Sequence, residues 1–169
     1  MTGDAAMTGL PQGSLGLLEH EVAVRLLASS ELARLAYVAG DGTPRVMPMM
    51  FHWTGEELVM STFAGAGKIA ALRARPAVAV TIDAAGPPPE VLLLRGDAEV
   101  TDVEGIVPEY VLAHRRYYGP EQGAANVAAV DHPGTRMARI ALRPSWVGVL
   151  DFTTRVPGPL RAAASGARS

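Results

Sequence analysis

Short apolar runs cut by turn-forming residues constrain this chain more than any other feature of its sequence. Leu32 to Ala39 ends at Gly40-Asp41-Gly42, and an Asp-Gly pair between two β-prone runs predicts a hairpin. Pro44 to Trp53 resumes with alternating side chains, Thr54-Gly55-Glu56 turns the chain again, and Leu58 to Thr62 follows. Three sequential strands of this kind predict an antiparallel meander. Pro44 and Pro48 have no N–H to give to a ladder. They belong at a strand start, an edge or a bulge, which is also where a sheet opens to a ligand.

The same reading extends along the chain. Leu18, Val22 and Leu26 recur every four residues between Leu17 and Leu27, which predicts an amphipathic helix. Lys68 to Ala74 is a short run of strong helix formers ended by Arg75-Pro76. Ala77 to Ile82 and Val91 to Val100 read as strands on either side of the Gly86-Pro87-Pro88-Pro89 break. Val107 to Tyr118 reads as a second longer helix stopped by Gly119-Pro120, Gln122 to Thr135 as a polar loop, and Met137 to Phe152 as a strand pair interrupted near Pro144. Residues 1–16 and 157–169 read as loose tails around one domain spanning 17–156. Six or more mostly antiparallel strands with two or three peripheral helices predict a small β-barrel, because no strand–helix–strand alternation supports a doubly wound sheet.

Composition narrows the function classes. Hydrophobic residues at 49% and charged residues at 19% exclude a disordered chain. A net charge of −2 leaves no cationic excess to grip a phosphate backbone, so a dedicated nucleic-acid role is not expected. The absence of cysteine removes disulfides, thiolate metal sites and a thiol nucleophile. The opening MTGDAAMTGLPQGSLG has neither a basic start nor an unbroken apolar run, and no stretch reaches the ~18 apolar residues of a membrane span. A soluble cytoplasmic protein with no membrane or nucleic-acid partner is the expectation.

Among 15 basic residues only Lys68 is a lysine. It follows Phe63-Ala64-Gly65-Ala66-Gly67, a Gly-rich strand-to-helix turn, but Thr62 and Ile69 stand where a P-loop needs Gly and Ser or Thr. What survives is a more general anion site: a helix N-terminus with one lysine in its first turn, and Ser61 and Thr62 at the preceding strand end. The alternative is a solvated surface lysine. His20, His52, His114 and His132 are scattered singly, with no spacing that sets two metal ligands on one helical face. Val46-Met47-Pro48-Met49-Met50-Phe51-His52-Trp53 offers three methionines and two aromatics around a proline, either a soft apolar wall for a flat ring or barrel core. Wall and anion site lie on consecutive strands, so one ligand with a flat ring and a phosphate could span them. A bound cofactor of that shape would supply the chemistry that no constellation of side chains offers.

The runs LARLAYVAGDGTPRVMPMMFHW, LVMSTFAGAGKIAALRARPAVAVTID and LLLRGDAEV resemble the flavin-reductase-type split-barrel family that includes pyridoxamine 5′-phosphate oxidase. The resemblance covers about Ser30 to Pro157. It implies a split β-barrel homodimer with FMN, or in many actinobacterial members the deazaflavin coenzyme F-420, at the subunit interface. The implied activity is hydride transfer between cofactor and a small organic substrate. A non-enzymatic carrier of haem, tetrapyrrole or another flat ligand would share the fold. Carried over residue by residue, Lys68 contacts the cofactor phosphate with Ser61 and Thr62 at the same end, and Arg45, Met47, Pro48 and Met49 lie along the strand facing the ring. Many relatives have an Arg in the turn before the helix where this chain has Ala66 and Gly67, which thins the implied phosphate grip. No catalytic side chain and no metal ligand is singled out.

Overall fold

A computed structural model describes residues 9–160. Strands β1 (Ala33–Val38), β2 (Pro44–Met49), β3 (Phe51–Trp53), β4 (Leu58–Phe63), β5 (Ala77–Ala84), β6 (Glu90–Glu104), β7 (Arg136–Leu142) and β8 (Trp146–Leu150) pair in the order β2-β1-β5-β6-β7-β4-β3, with β8 beside β6. Every pairing is antiparallel. The two strands at the ends of this order, β2 and β3, are consecutive in the chain. The sheet therefore curls back on itself as the expected split barrel.

The segment Pro44 to Trp53, expected as one strand, is two. Pro44 to Met49 pairs with β1, whereas Phe51 to Trp53 pairs with β4, and the chain bends at Met50 between them. The physical cause is that the two halves answer to neighbours on opposite ends of the sheet. Pro44 and Pro48 both sit in β2, which has β1 on one side and no partner strand on the other, so their missing N–H groups leave no gap in an interior ladder.

A second bend lies in the 15-residue β6. Its first part pairs with β8 and its last part with β7, and the switch falls at Gly96-Asp97, opposite the Arg143–Ser145 corner. Ser145 N–H donates to the Arg95 carbonyl at 2.8 Å, which fixes that corner. A Cβ on Gly96 would stand 2.8 Å from the Arg143 carbonyl oxygen, so only glycine lets the two bends cross this closely.

Leu35, Val80, Ile82, Leu92, Leu94, Met60 and Ile140 fill the interior from the sheet, each at most 1% exposed. Helix α1 (Glu21–Ala28) closes one end with Val22, Ala23, Leu26 and Leu27 buried. The helix expected from Leu17 is broken at His20, whose extended backbone ends a 3₁₀ turn over Leu15–Glu19 and whose side chain caps α1 by accepting from the Val22 N–H at 3.3 Å. Helix α2 (Gly67–Ala74) follows β4, and α3 (Pro108–Tyr118) follows β6. The expected polar loop beyond Gly119 instead begins with α4 (Pro120–Ala128). Pro120 at its first position suits a helix start, and Gly123 lets its backbone approach the end of α3, where a Cβ would lie 2.7 Å from the His114 carbonyl oxygen. That packing outweighs the weak helix propensity of Gly123 and Asn126.

Within the segment expected as an N-terminal tail, Gln12 and Gly13 are tied to β8, Gly13 by donating its N–H to the Val147 carbonyl at 2.8 Å. The Gln12 side chain donates to the Val149 carbonyl at 2.7 Å and accepts from the Val149 N–H at 2.9 Å, adding a one-residue rung to β8. Residues 1–8 and 161–169 of the expected tails lie outside the described residues. Among the described residues no helix is long and apolar enough to cross a membrane.

Candidate functional site

Four elements meet where the sheet bends. Strand β2 presents Met47, Pro48 and Met49, the bend itself gives Met50, β4 gives Val59 and Ser61, α2 gives Lys68, and α3 gives Glu109, Tyr110 and Ala113. Together they line a cavity of about 230 Å³. Alternation along β4 explains the set: Val59 and Ser61 share the outer face with Glu57, and α3 lies over that face against β3 and β4.

Five of the seven residues expected at the site come together here: Met47, Pro48, Met49, Ser61 and Lys68. Thr62 adjoins them, its hydroxyl oxygen accepting a hydrogen bond from Lys68 Nζ at 3.4 Å. Lys68 is the second residue of α2, whose N-cap Ala66 makes no side-chain cap, so the Gly67 and Lys68 N–H groups point out of the helix beside the ammonium. Arg45 is the exception. It is turned to the β1–β2 hairpin, donating to Asp41 at 3.0 Å and to Thr43, and does not line the cavity. The Asp41 carboxylate in the hairpin turn attracts its guanidinium more than an open strand edge does. Arg73 and Arg75, the nearest other cations in sequence, are also engaged elsewhere, with Asp102 at 2.8 Å and the Ala39 carbonyl at 3.0 Å. Lys68 is left as the one cationic side chain lining the cavity among the described residues.

Glu109 and Tyr110 carry no sequence motif that singles them out. Glu109 is held by Arg139 of β7, whose Nε and one terminal nitrogen both donate to Glu109 Oε1, at 2.9 and 2.8 Å. The same guanidinium reaches Glu57 at 2.9 Å. Burial alone would raise the Glu109 pKa, but the Arg139 bonds outweigh it and hold the carboxyl below its ordinary range. Burial raises the Tyr110 hydroxyl pKa, so it stays protonated and able to donate. The Tyr110 ring has His114 at 4.0 Å and Phe63 at 6.4 Å between centroids. On β3, partial burial and then the positive charge of Arg116 lower the pKa of His52. The one legible signal for Glu109 was its place after Pro108 in the first turn of a helix, which marks a capping charge as readily as a ligand group.

The cavity thus joins an apolar wall, hydroxyls and an ammonium at a helix N-terminus, and a fixed carboxylate. No group of three or more His, Asp or Glu residues suited to a metal ion occurs among the described residues.

Residues 19–143 match the sequence pattern of the family described as pyridoxamine 5′-phosphate oxidase. The chain belongs to that family. Solved structures share the family's architecture. A conserved hypothetical protein of Mycobacterium tuberculosis superposes with a TM-score of 0.64 at 22% identity, covering 82% of this chain and 88% of its own. An F420 reductase superposes at 0.53 with 29% identity, covering 73% and 93%. A pyridoxamine 5′-phosphate oxidase-related, FMN-binding protein of Nostoc punctiforme does so at 0.57 with 15% identity, covering 82% and 87%. A search of curated proteins finds no match.

Proposed function

We propose that this family member is a homodimeric oxidoreductase that binds FMN, or a deazaflavin of the F-420 type, and passes hydride between that cofactor and a small organic substrate. The observation behind the reading is the cavity itself: Met47, Pro48 and Met49 face Ser61 and Lys68 across one space. The donor set suits the cofactor chemically. An ammonium, two hydroxyls and free helix N–H groups match a phosphate or phosphodiester, and thioether and proline surfaces match a flat ring. When bound, the cofactor supplies the two-electron chemistry. The chain's own residues bind and orient it. Lys68 fixes the anionic end, Ser61 and Thr62 add hydroxyl donors there, and the β2 wall excludes water from one face of the ring.

The cavity of about 230 Å³ lies below the ~300–1,000 Å³ of sites that enclose ligands of this size. One chain therefore covers only part of a flavin. The adjoining β2 edge exposes Val46 at 64% and Met47 at 41%, apolar surface that a second copy would cover while completing the site.

FMN is the preferred cofactor because the anion end is compact, with no second cation to grip an extended acidic tail. The 29% identity to an F420 reductase favours the deazaflavin as the second reading. Absorption and fluorescence titrations of purified protein with each cofactor separate them. Micromolar or tighter binding of FMN supports the first reading. Binding of the deazaflavin with none of FMN replaces it by the second, and binding of neither moves the protein to a non-enzymatic carrier of another flat ligand.

A further inference from the structure

Lys68 and Glu109 carry opposite charges into one small cavity, yet no ion pair joins them. Besides a bond from its own backbone N–H, Glu109 takes its side-chain donors on a single oxygen. Both Arg139 donors end on Oε1, and no other side chain among the described residues donates to Oε2. The side chain is only 16% exposed, so this carboxylate is held rigidly against the cavity rather than turned to bulk water. Its guanidinium partner is in turn shared with Glu57, which Arg143 also reaches at 3.8 Å, so Arg139 is not dedicated to neutralising Glu109 alone. A largely shielded carboxylate whose second oxygen takes no side-chain donor stabilises a donor placed opposite it and penalises an anion there.

We infer that Glu109 is a specificity-determining residue: its carboxylate accepts a hydrogen bond from an N–H or cationic group of the bound ligand, while Lys68 takes the anionic group. The pocket then selects bipolar ligands and rejects those that would set a carboxylate or phosphate against Glu109. Arg139 is the positioning residue that fixes Glu109 ionised and oriented. The N–H group can belong to the flavin ring edge or to an amidine- or amine-bearing second reactant. The first source rests on the cofactor reading above, and the second does not.

Wild-type protein, Glu109→Gln and Glu109→Ala are titrated with riboflavin, N3-methylriboflavin and benzamidine, following flavin fluorescence and calorimetry, with FMN against riboflavin as the measure of the phosphate contact. Glu57 still holds Arg139 in both variants, and Gln keeps an acceptor for it, so the fold is retained. Loss of a charge-assisted hydrogen bond is expected to weaken the N–H probe roughly tenfold in both variants. The preference for FMN over riboflavin should stay as in wild type. A loss confined to riboflavin, with N3-methylriboflavin already weak in wild type, assigns the donor to the flavin ring; a loss confined to benzamidine assigns it to a second reactant. Riboflavin and benzamidine bound within twofold of wild type by both variants, or neither bound by wild type, overturns the inference. Failure of the cofactor reading registers separately, as wild-type protein that binds no flavin while the benzamidine arm still responds to Glu109.

Discussion

Lys68 is the residue on which the proposed anion end rests, because every arginine near it in sequence is held by another group. A charge-assisted contact of this kind contributes about 1.5–3 kcal/mol, so Lys68→Ala is expected to weaken FMN binding roughly tenfold to a hundredfold. The check is a fluorescence titration, and wild-type affinity in the variant would remove Lys68 from the site. Asp151 shows the same economy in a structural role. Its Oδ1 accepts from the backbone N–H groups of Thr153, Thr154 and Arg155 at 2.7–2.8 Å, and Oδ2 accepts from the Thr154 hydroxyl. Burial would raise its pKa, but those donors bring it down from 3.8 to about 2. A depressed carboxyl pKa stabilises the fold above the unfolded value, and that stability is lost as pH falls from about 4 towards 2. Asp151→Asn is expected to cost on the order of 1–3 kcal/mol at neutral pH and to flatten this acid limb. Urea denaturation at pH 7 and pH 3 measures both.

At the scale of elements, the site depends on two bends, one at Met50 and one at Gly96. The first lets β2 and β4 face each other across the cavity although they lie far apart in the strand order. The second carries β6 from β8 to β7 and so places Arg139 on the strand beside β4, where Ser61 is its register partner. Gly96→Ala would force a methyl into the Arg143 carbonyl and the Leu142 side chain, at 2.8 and 2.9 Å. Overpacking against backbone costs about 1–3 kcal/mol, so a lowered Tm is expected, read by thermal denaturation followed by circular dichroism. Full wild-type stability would mean that the corner relaxes more freely than its hydrogen bonds suggest.

For the whole molecule the open question is the second copy. A cavity too small for the proposed cofactor, bordered by an exposed apolar strand edge, predicts a dimer in solution. Size-exclusion chromatography with light scattering is expected to give twice the chain mass of 17.7 kDa. Val46→Glu should shift the protein towards monomer and weaken cofactor binding together, since a charge on that edge opposes burial. A stable wild-type monomer at micromolar concentration that still binds FMN would separate the site from the interface.

The strands were legible because alternation, Asp-Gly turns and proline breaks are local signals, set by neighbours within a few residues. Lys68 and the methionine run were legible for a similar reason: one is the only lysine, and the other is a continuous stretch. Sequence alone also limited Pro44 and Pro48 to a strand start, an edge or a bulge, since a missing N–H constrains any sheet, and the tertiary structure chose the edge. Tertiary structure decided the rest. Met50 divides one apparent strand because its two halves pair with β1 and β4, a choice made by distant partners. Arg45 left the predicted site because Asp41 lies within reach across the hairpin turn. Glu109 entered it because β7 brings Arg139 under α3 from 30 residues away, and a carboxylate's role is set by which charges surround it in space, which its neighbours in sequence do not specify.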